Sequence, residues 1–180
     1  MAILVEATSV VVRVEPIRDR FVGGWSAFLD QVPNRTFCSD NELARVGFMS
    51  PEDCKRYVVG IEKAGLCFLR DGKAQDVVVA DQMRGFTALC DWAEFGRIKL
   101  RSGQTVSAAQ LKGTSSRQLF CPEDWKYEGS LSEQFGFVPT GQEHKSLTLL
   151  HREGGMEVYL NRLTGKEVYV GRAGQDPVSG

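Results

Sequence analysis

The chain has 180 residues, 42% of them apolar and 25% charged, which is the balance of an ordinary globular protein and not of low-complexity disorder. Its formal net charge is −1, which excludes a generic polyanion binder, since such a protein is strongly basic. Residues 1–95 carry 11 Lys/Arg against 14 Asp/Glu, and residues 96–180 carry 11 against 9; neither half is charged enough to name a partner.

The first element is an apolar segment, MAILVEATSVVVRVEP. It lacks a basic start, and Glu6 interrupts it early, so it reads as a β-strand over about residues 3–14 and not as a signal peptide. Pro16 is expected to end it. Trp25, Phe28, Leu29 and Val32 fall at i, i+3, i+4 and i+7, one face of a short helix bounded by Gly23-Gly24 and Pro33-Asn34. Ala44–Met49 reads as a buried strand. Residues 51–64 then carry the clearest helix signals: Ser50 as N-cap, Pro51 at the first helical position, Glu52 and Asp53 in the first turn, and Gly65 past the end. Its apolar stripe is Cys54, Tyr57, Val58 and Ile61. Leu66–Leu69 and Asp76–Ala80 read as strands joined at Asp71-Gly72.

From Phe95 onward the pattern is that of strands. Ile98 and Leu100 alternate with Arg97, Lys99 and Arg101, and Ser102-Gly103 signals a turn into a returning strand, Thr105–Leu111. Residues 122–145 are rich in Pro and Gly and read as loop. Leu147–Leu150, Met156–Leu160 and Lys166–Val170 read as the last three strands, with Gly154-Gly155 and Thr164-Gly165 between them, and residues 173–180 as a frayed tail. The expected fold class is therefore α+β, with two or three helices within residues 16–65 and mainly antiparallel strands afterwards. The expected organisation is a helix-bearing subdomain over 1–95 and an antiparallel β subdomain over 96–172, sharing one core.

The chemistry-bearing residues assemble no known motif. Phosphate-loop and nucleophile-elbow patterns are absent. The two histidines, His144 and His151, and the five cysteines show no zinc spacing, so no metal and no cofactor are expected. An odd cysteine count without CxxC points to a reducing cytoplasm rather than a disulfide framework. Cys54 and Cys67 read as small core hydrophobes; Cys38 and Cys90, in polar contexts, are the better nucleophile candidates, although free cysteine is more often buried and structural. Asp81, Asp91 and Glu94 are candidate acid–base carboxylates, set against the plainer reading of loop solvation and turn capping by Asp. The basic run Arg97, Lys99, Arg101, Lys112, Arg117 and Lys126 lacks interleaved aromatics and reads as a solvated face, not a nucleic-acid surface. No apolar stretch approaches the ~20 residues a membrane span needs.

The segment from Asp81 to Glu94 joins the two halves, has no clear period and reads as loop. It is the expected functional surface, with Asp81, Gln82, Arg84, Cys90, Asp91 and Trp92 as its site residues; the competing expectation is that Trp92 and Phe86 plug the joint between the two subdomains. The segments VPNRTFCSDNELARVGFMSPEDCKRYVVGIEKAGL and CDWAEFG resemble stretches of small bacterial proteins of no settled activity. The resemblance covers about the first hundred residues, implies a bacterial origin and carries over no functional residue. Small bacterial α+β proteins without catalytic motifs are often toxin-immunity proteins or other interaction modules. The leading expectation is therefore a non-enzymatic protein-binding module of the immunity type, with a protein partner. The alternative is a small hydrolase or transferase using Cys90 or Asp81 in a pocket between the subdomains.

Overall fold

The computed structural model describes residues 1–116, 118–134, 147–153, 156–161 and 167–171. The fold is α+β. In chain order the elements are β1 (Ala2–Val5), β2 (Thr8–Arg13), α1 (Val14–Arg20), α2 (Gly24–Asp30), β3 (Cys38–Ser39), β4 (Leu43–Phe48), α3 (Pro51–Lys63), β5 (Leu69–Arg70), β6 (Lys73–Ala74), β7 (Val77–Asp81), β8 (Gly85–Phe86), β9 (Ala93–Lys99), β10 (Thr105–Leu111), β11 (Leu119–Phe120), α4 (Leu131–Gln134), β12 (Leu147–Glu153), β13 (Met156–Asn161) and β14 (Glu167–Gly171). Three of the helices fall within residues 14–63, and α4 is a single turn much later in the chain.

Two sheets set the architecture. An antiparallel sheet has the order β3-β4-β2-β7-β8, and a second has the order β11-β1-β10-β9, parallel only between β1 and β11. Val10, Val12, Ala44, Val46, Val77 and Val79 of the first sheet pack under α1–α3 with Ile17, Phe28, Val58 and Ile61. Val11, Val78 and Ala80, on its opposite face, pack against Ile3, Val5 and Ala109 of the second sheet. The layers are thus helices, sheet and sheet, and β2 is buried on both faces. That explains its unbroken Val10-Val11-Val12 run, because alternation with polar residues is expected only where one face meets water. The strands β12, β13 and β14 form a separate antiparallel sheet, with β14 against α4.

Where the sequence suggests one strand over residues 3–14, the chain forms two strands in different sheets. The break is at Ala7, whose φ is +47°. A left-handed non-glycine residue costs roughly 1–2 kcal/mol, and a distant residue holds this one in place. Gln82 accepts the Ala7 N–H on its side-chain oxygen at 2.7 Å, and its own N–H donates to the Ala7 carbonyl at 2.8 Å. Pro16 does not end a strand but sits in the first turn of α1, where no intrahelical donor is lost. The Asp71-Gly72 turn joins β5 and β6, two residues each, instead of longer strands; both turn residues have positive φ. The segment 81–94 is not all loop, since it contains β8 and the start of β9. The position 95/96 falls inside β9, and β1 pairs with β10 across it. Arg117, His144, Gly154-Gly155, Thr164-Gly165 and the tail lie outside the described residues. Among the described residues no helix is long and apolar enough to cross a membrane.

Candidate functional site

The six residues picked out between Asp81 and Trp92 fall into two groups, one on each side of β8 in the chain. Asp81 closes β7 and is buried, and its Oδ1 accepts the N–H groups of Met83 and Arg84 at 2.8 and 2.9 Å. This is the local capping that Asp supplies in tight turns. Gln82 is buried and ties three segments together. Besides clamping Ala7, its Nε2 donates to the Ser132 carbonyl at 3.0 Å, and its carbonyl accepts the Ser107 hydroxyl at 2.6 Å. The Arg84 side chain is exposed.

In the second group, Cys90 and Trp92 pack against the opposite core, and Asp91 does not. Trp92 packs on the cluster between the sheets, and its indole N–H donates to the Ala74 carbonyl at 3.2 Å. The guanidinium of Arg13 lies 5.9 Å from its ring centre, within cation–π range. Asp91 is exposed and pairs with Lys73 at 3.0 Å; the Lys73 hydrogen bond and charge hold its carboxyl below the usual range. Cys90 is half-buried, and burial pushes its thiol up.

Nucleophilic cysteine chemistry needs a thiolate, and four of the five cysteines are set against it. Burial pushes Cys38 and Cys54 up to about 12 and Cys121 to about 11, with Cys90 raised as well. We expect Cys38 and Cys54 to resist iodoacetamide in the native protein at pH 8, while all five cysteines react in denaturant. Peptide mass mapping checks this; rapid native labelling of Cys38 would show that its burial is not maintained in solution. Among the described residues no group of three or more His, Cys, Asp or Glu could hold a metal ion.

A buried ion pair outside the 81–94 segment lies at the end of β1. Glu6 and Arg45 are 2% and 0% exposed and form an ion pair at 3.2 Å. The other Glu6 oxygen accepts the Trp125 indole N–H at 2.8 Å, the Ser132 N–H at 3.1 Å and the Ser132 hydroxyl at 2.8 Å. Arg45 donates further to the Ser9 hydroxyl at 3.0 Å and the Thr36 carbonyl at 2.8 Å. Both charges have several partners, so the pair fastens residues 125–132 to the two sheets and leaves little capacity for a substrate. The signal in the sequence is a charged residue directly after one apolar strand, AILV, and another inside a second, LARVGF.

The opening with the character of a binding site lies between α3 and the β7–β8 edge. It is a groove of about 660 Å³. Cys54, Val58 and Val59 of α3, Val79 and Thr87 of the β7–β8 side, and Phe68 and Leu69 line it. The stripe of α3 buries Cys54, Tyr57, Val58 and Ile61, and Val59 falls just off it, 42% exposed; Leu69 is 44% exposed. Asp81 and Arg84 line the groove, whereas Gln82, Cys90, Asp91 and Trp92 do not. The cation of Lys55 joins Arg84 on the lining, and neither side chain has an ion-pair partner among the described residues. Glu62 also lines it, but its Oε1 accepts the Phe68 N–H at 3.0 Å.

The fold and this groove define an α+β protein of three layers whose helical layer stops short of the sheet edge. No family model, curated protein or solved structure matches the chain.

Proposed function

We propose that the protein is a non-enzymatic protein-binding module of the immunity type, working in the bacterial cytoplasm, and that it holds its partner in the groove between α3 and β7–β8. The observation that carries this reading is the groove itself. It combines exposed aliphatic side chains, Val59 and Leu69, with a charged rim, which is the anatomy of an apolar interface centre within a polar surround. The alternative, a hydrolase or transferase using Cys90 or Asp81, has less behind it. The Asp81 carboxylate is engaged by two backbone amides, and the Cys90 thiol is raised by burial and lies off the groove.

The test compares affinity capture by the wild-type chain and by Val59→Glu from lysate of the native host. Val59 is on the exposed side of a helix, so the substitution is expected to change stability by about 0.5 kcal/mol or less and to leave the melting temperature nearly unchanged. A protein captured by wild type and lost from Val59→Glu supports the reading. A partner retained equally by both chains would move the binding face elsewhere.

A further inference from the structure

We infer that the segment the groove accepts is an amphipathic helix of the partner protein, with carboxylates along the side that meets Lys55 and Arg84. This rests on the reading of the groove as the binding face. The argument for a helix is geometric. α3 lies against β2 and β4, and the sheet continues past β2 to β7 and then β8. Neighbouring strands are about 4.8 Å apart, so β8 lies roughly 10 Å from β2. Packed helices sit about 8–10 Å apart axis to axis. The open strip beyond α3 is therefore one helix wide. A helix laid there would continue the layer that α3 ends, placing its apolar stripe on Val59, Val79 and Leu69. Such helix-in-groove docking is read out through anchors at i, i+3, i+4 and i+7.

The argument for carboxylates is electrostatic. Four charged residues line the groove: Lys55, Glu62, Asp81 and Arg84. The two acids keep their charge, so the lining is neutral in sum, but each already accepts backbone N–H groups, Glu62 that of Phe68 and Asp81 those of Met83 and Arg84. The two cations have no ion-pair partner among the described residues and are the local points at which a carboxylate is attracted. Lys55 is exposed on α3, and Arg84 is exposed in the turn before β8. A partner with acidic residues on this side gains two attractive contacts, and one with lysines there meets repulsion, which is how charge selects partners at a rim.

The test uses two synthetic peptides of about 14 residues, long enough for an apolar stripe over several turns. Both carry the same Leu/Ile stripe; one has Glu and the other Lys flanking it. A third peptide scrambles the Glu sequence so that the stripe is lost. Binding to the full chain is read by fluorescence anisotropy below about 0.1 M salt, where the screening length is at least about 10 Å. The Glu peptide is expected to bind at least tenfold tighter than the Lys peptide and the scrambled one. The preference for Glu over Lys should invert in the Lys55→Glu/Arg84→Glu double variant, and Val59→Glu should weaken both patterned peptides. Equal affinity for Glu and Lys peptides would overturn the carboxylate assignment, and equal affinity for the scrambled peptide would overturn the helix. No binding by any peptide would overturn the inference as a whole. The placement of the binding face in this groove falls separately, if the captured partner is retained by Val59→Glu.

Discussion

Replacing Arg45 by alanine is expected to destabilise the fold by about 3–5 kcal/mol, the range seen when one partner of a buried ion pair is removed. That is a large part of the roughly 5–15 kcal/mol that holds a domain together. The reason is the remaining partner. Glu6 is fixed in a site that is 2% exposed, with Trp125 and Ser132 donating to one oxygen. Without the guanidinium, its other oxygen faces a cavity in place of a cation. Ser9 and the Thr36 carbonyl lose a donor at the same time. The site is also fitted to arginine in shape. A Cβ on Gly47 would lie 2.6 Å from the Arg45 Nη2, so the glycine leaves space for the guanidinium to lie flat along β4. Replacing both charges, as in Glu6→Gln/Arg45→Met, is expected to cost less than Arg45→Ala alone, because no uncompensated charge stays buried. Urea unfolding of the three chains measures this. A loss below about 1 kcal/mol in Arg45→Ala would mean that water reaches Glu6 and that the pair is not sealed.

What the sequence made legible depended on how local its cause was. The helix α3 was readable almost to the residue because its signals lie within it. Ser50 accepts the Asp53 N–H, Pro51 takes the first position, and Gly65 follows the C-cap. The β9–β10 hairpin was readable for the same reason, with Gly103 at φ +97° in its turn. The split between β1 and β2 was not readable. The β-branched pattern runs through it, and the kink at Ala7 is held by Gln82, 75 positions away. The helix α1 is not legible from Pro16 alone, because proline suits both the end of a strand and a first helical turn.

The candidate site was legible only in part. Of the residues in the 81–94 segment, Asp81 and Arg84 line the groove. Trp92 and Gln82, from the same segment, hold the scaffold together. Residue type does not distinguish a buried clamp from an exposed contact. Val59, which the groove reading needs most, is one more valine on a helix until the edge of the sheet beneath is known. The Glu6–Arg45 pair joins positions 39 apart, and no short-range pattern marks such a contact.

The wall of the groove in turn depends on how α3 ends, and there a second large effect is expected. Gly65→Ala should destabilise the protein far more than Gly72→Ala, although both glycines have positive φ. α3 closes in a Schellman arrangement: the Leu66 N–H donates to the Ile61 carbonyl at 3.2 Å and the Gly65 N–H to the Glu62 carbonyl at 3.0 Å. Gly65 has φ +115°, and a Cβ there would lie 2.4 Å from the Arg20 carbonyl oxygen at the end of α1. Arg20 is poorly placed to yield. Its guanidinium is held by Asp76 at 2.5 Å, and the Val22 N–H just after it donates to the Ala64 carbonyl at 2.8 Å. Gly72, at φ +74°, has nothing within 4 Å of its would-be Cβ. Its substitution is expected to cost only the conformational penalty, about 1–2 kcal/mol. At Gly65 the same kind of strain adds to a backbone overlap, and overpacking alone typically costs about 1–3 kcal/mol. A total of about 2–5 kcal/mol follows for Gly65→Ala. Relieving the overlap moves the end of α3 against α1, so the variant should also displace Phe68 and Leu69, which lie three and four residues on and line the groove. Urea unfolding gives the two stabilities, and anisotropy with the Glu peptide gives the state of the groove. Equal losses for the two substitutions would show that Arg20 and Gly65 are not in contact in solution, and that the end of α3 is set by its own cap alone.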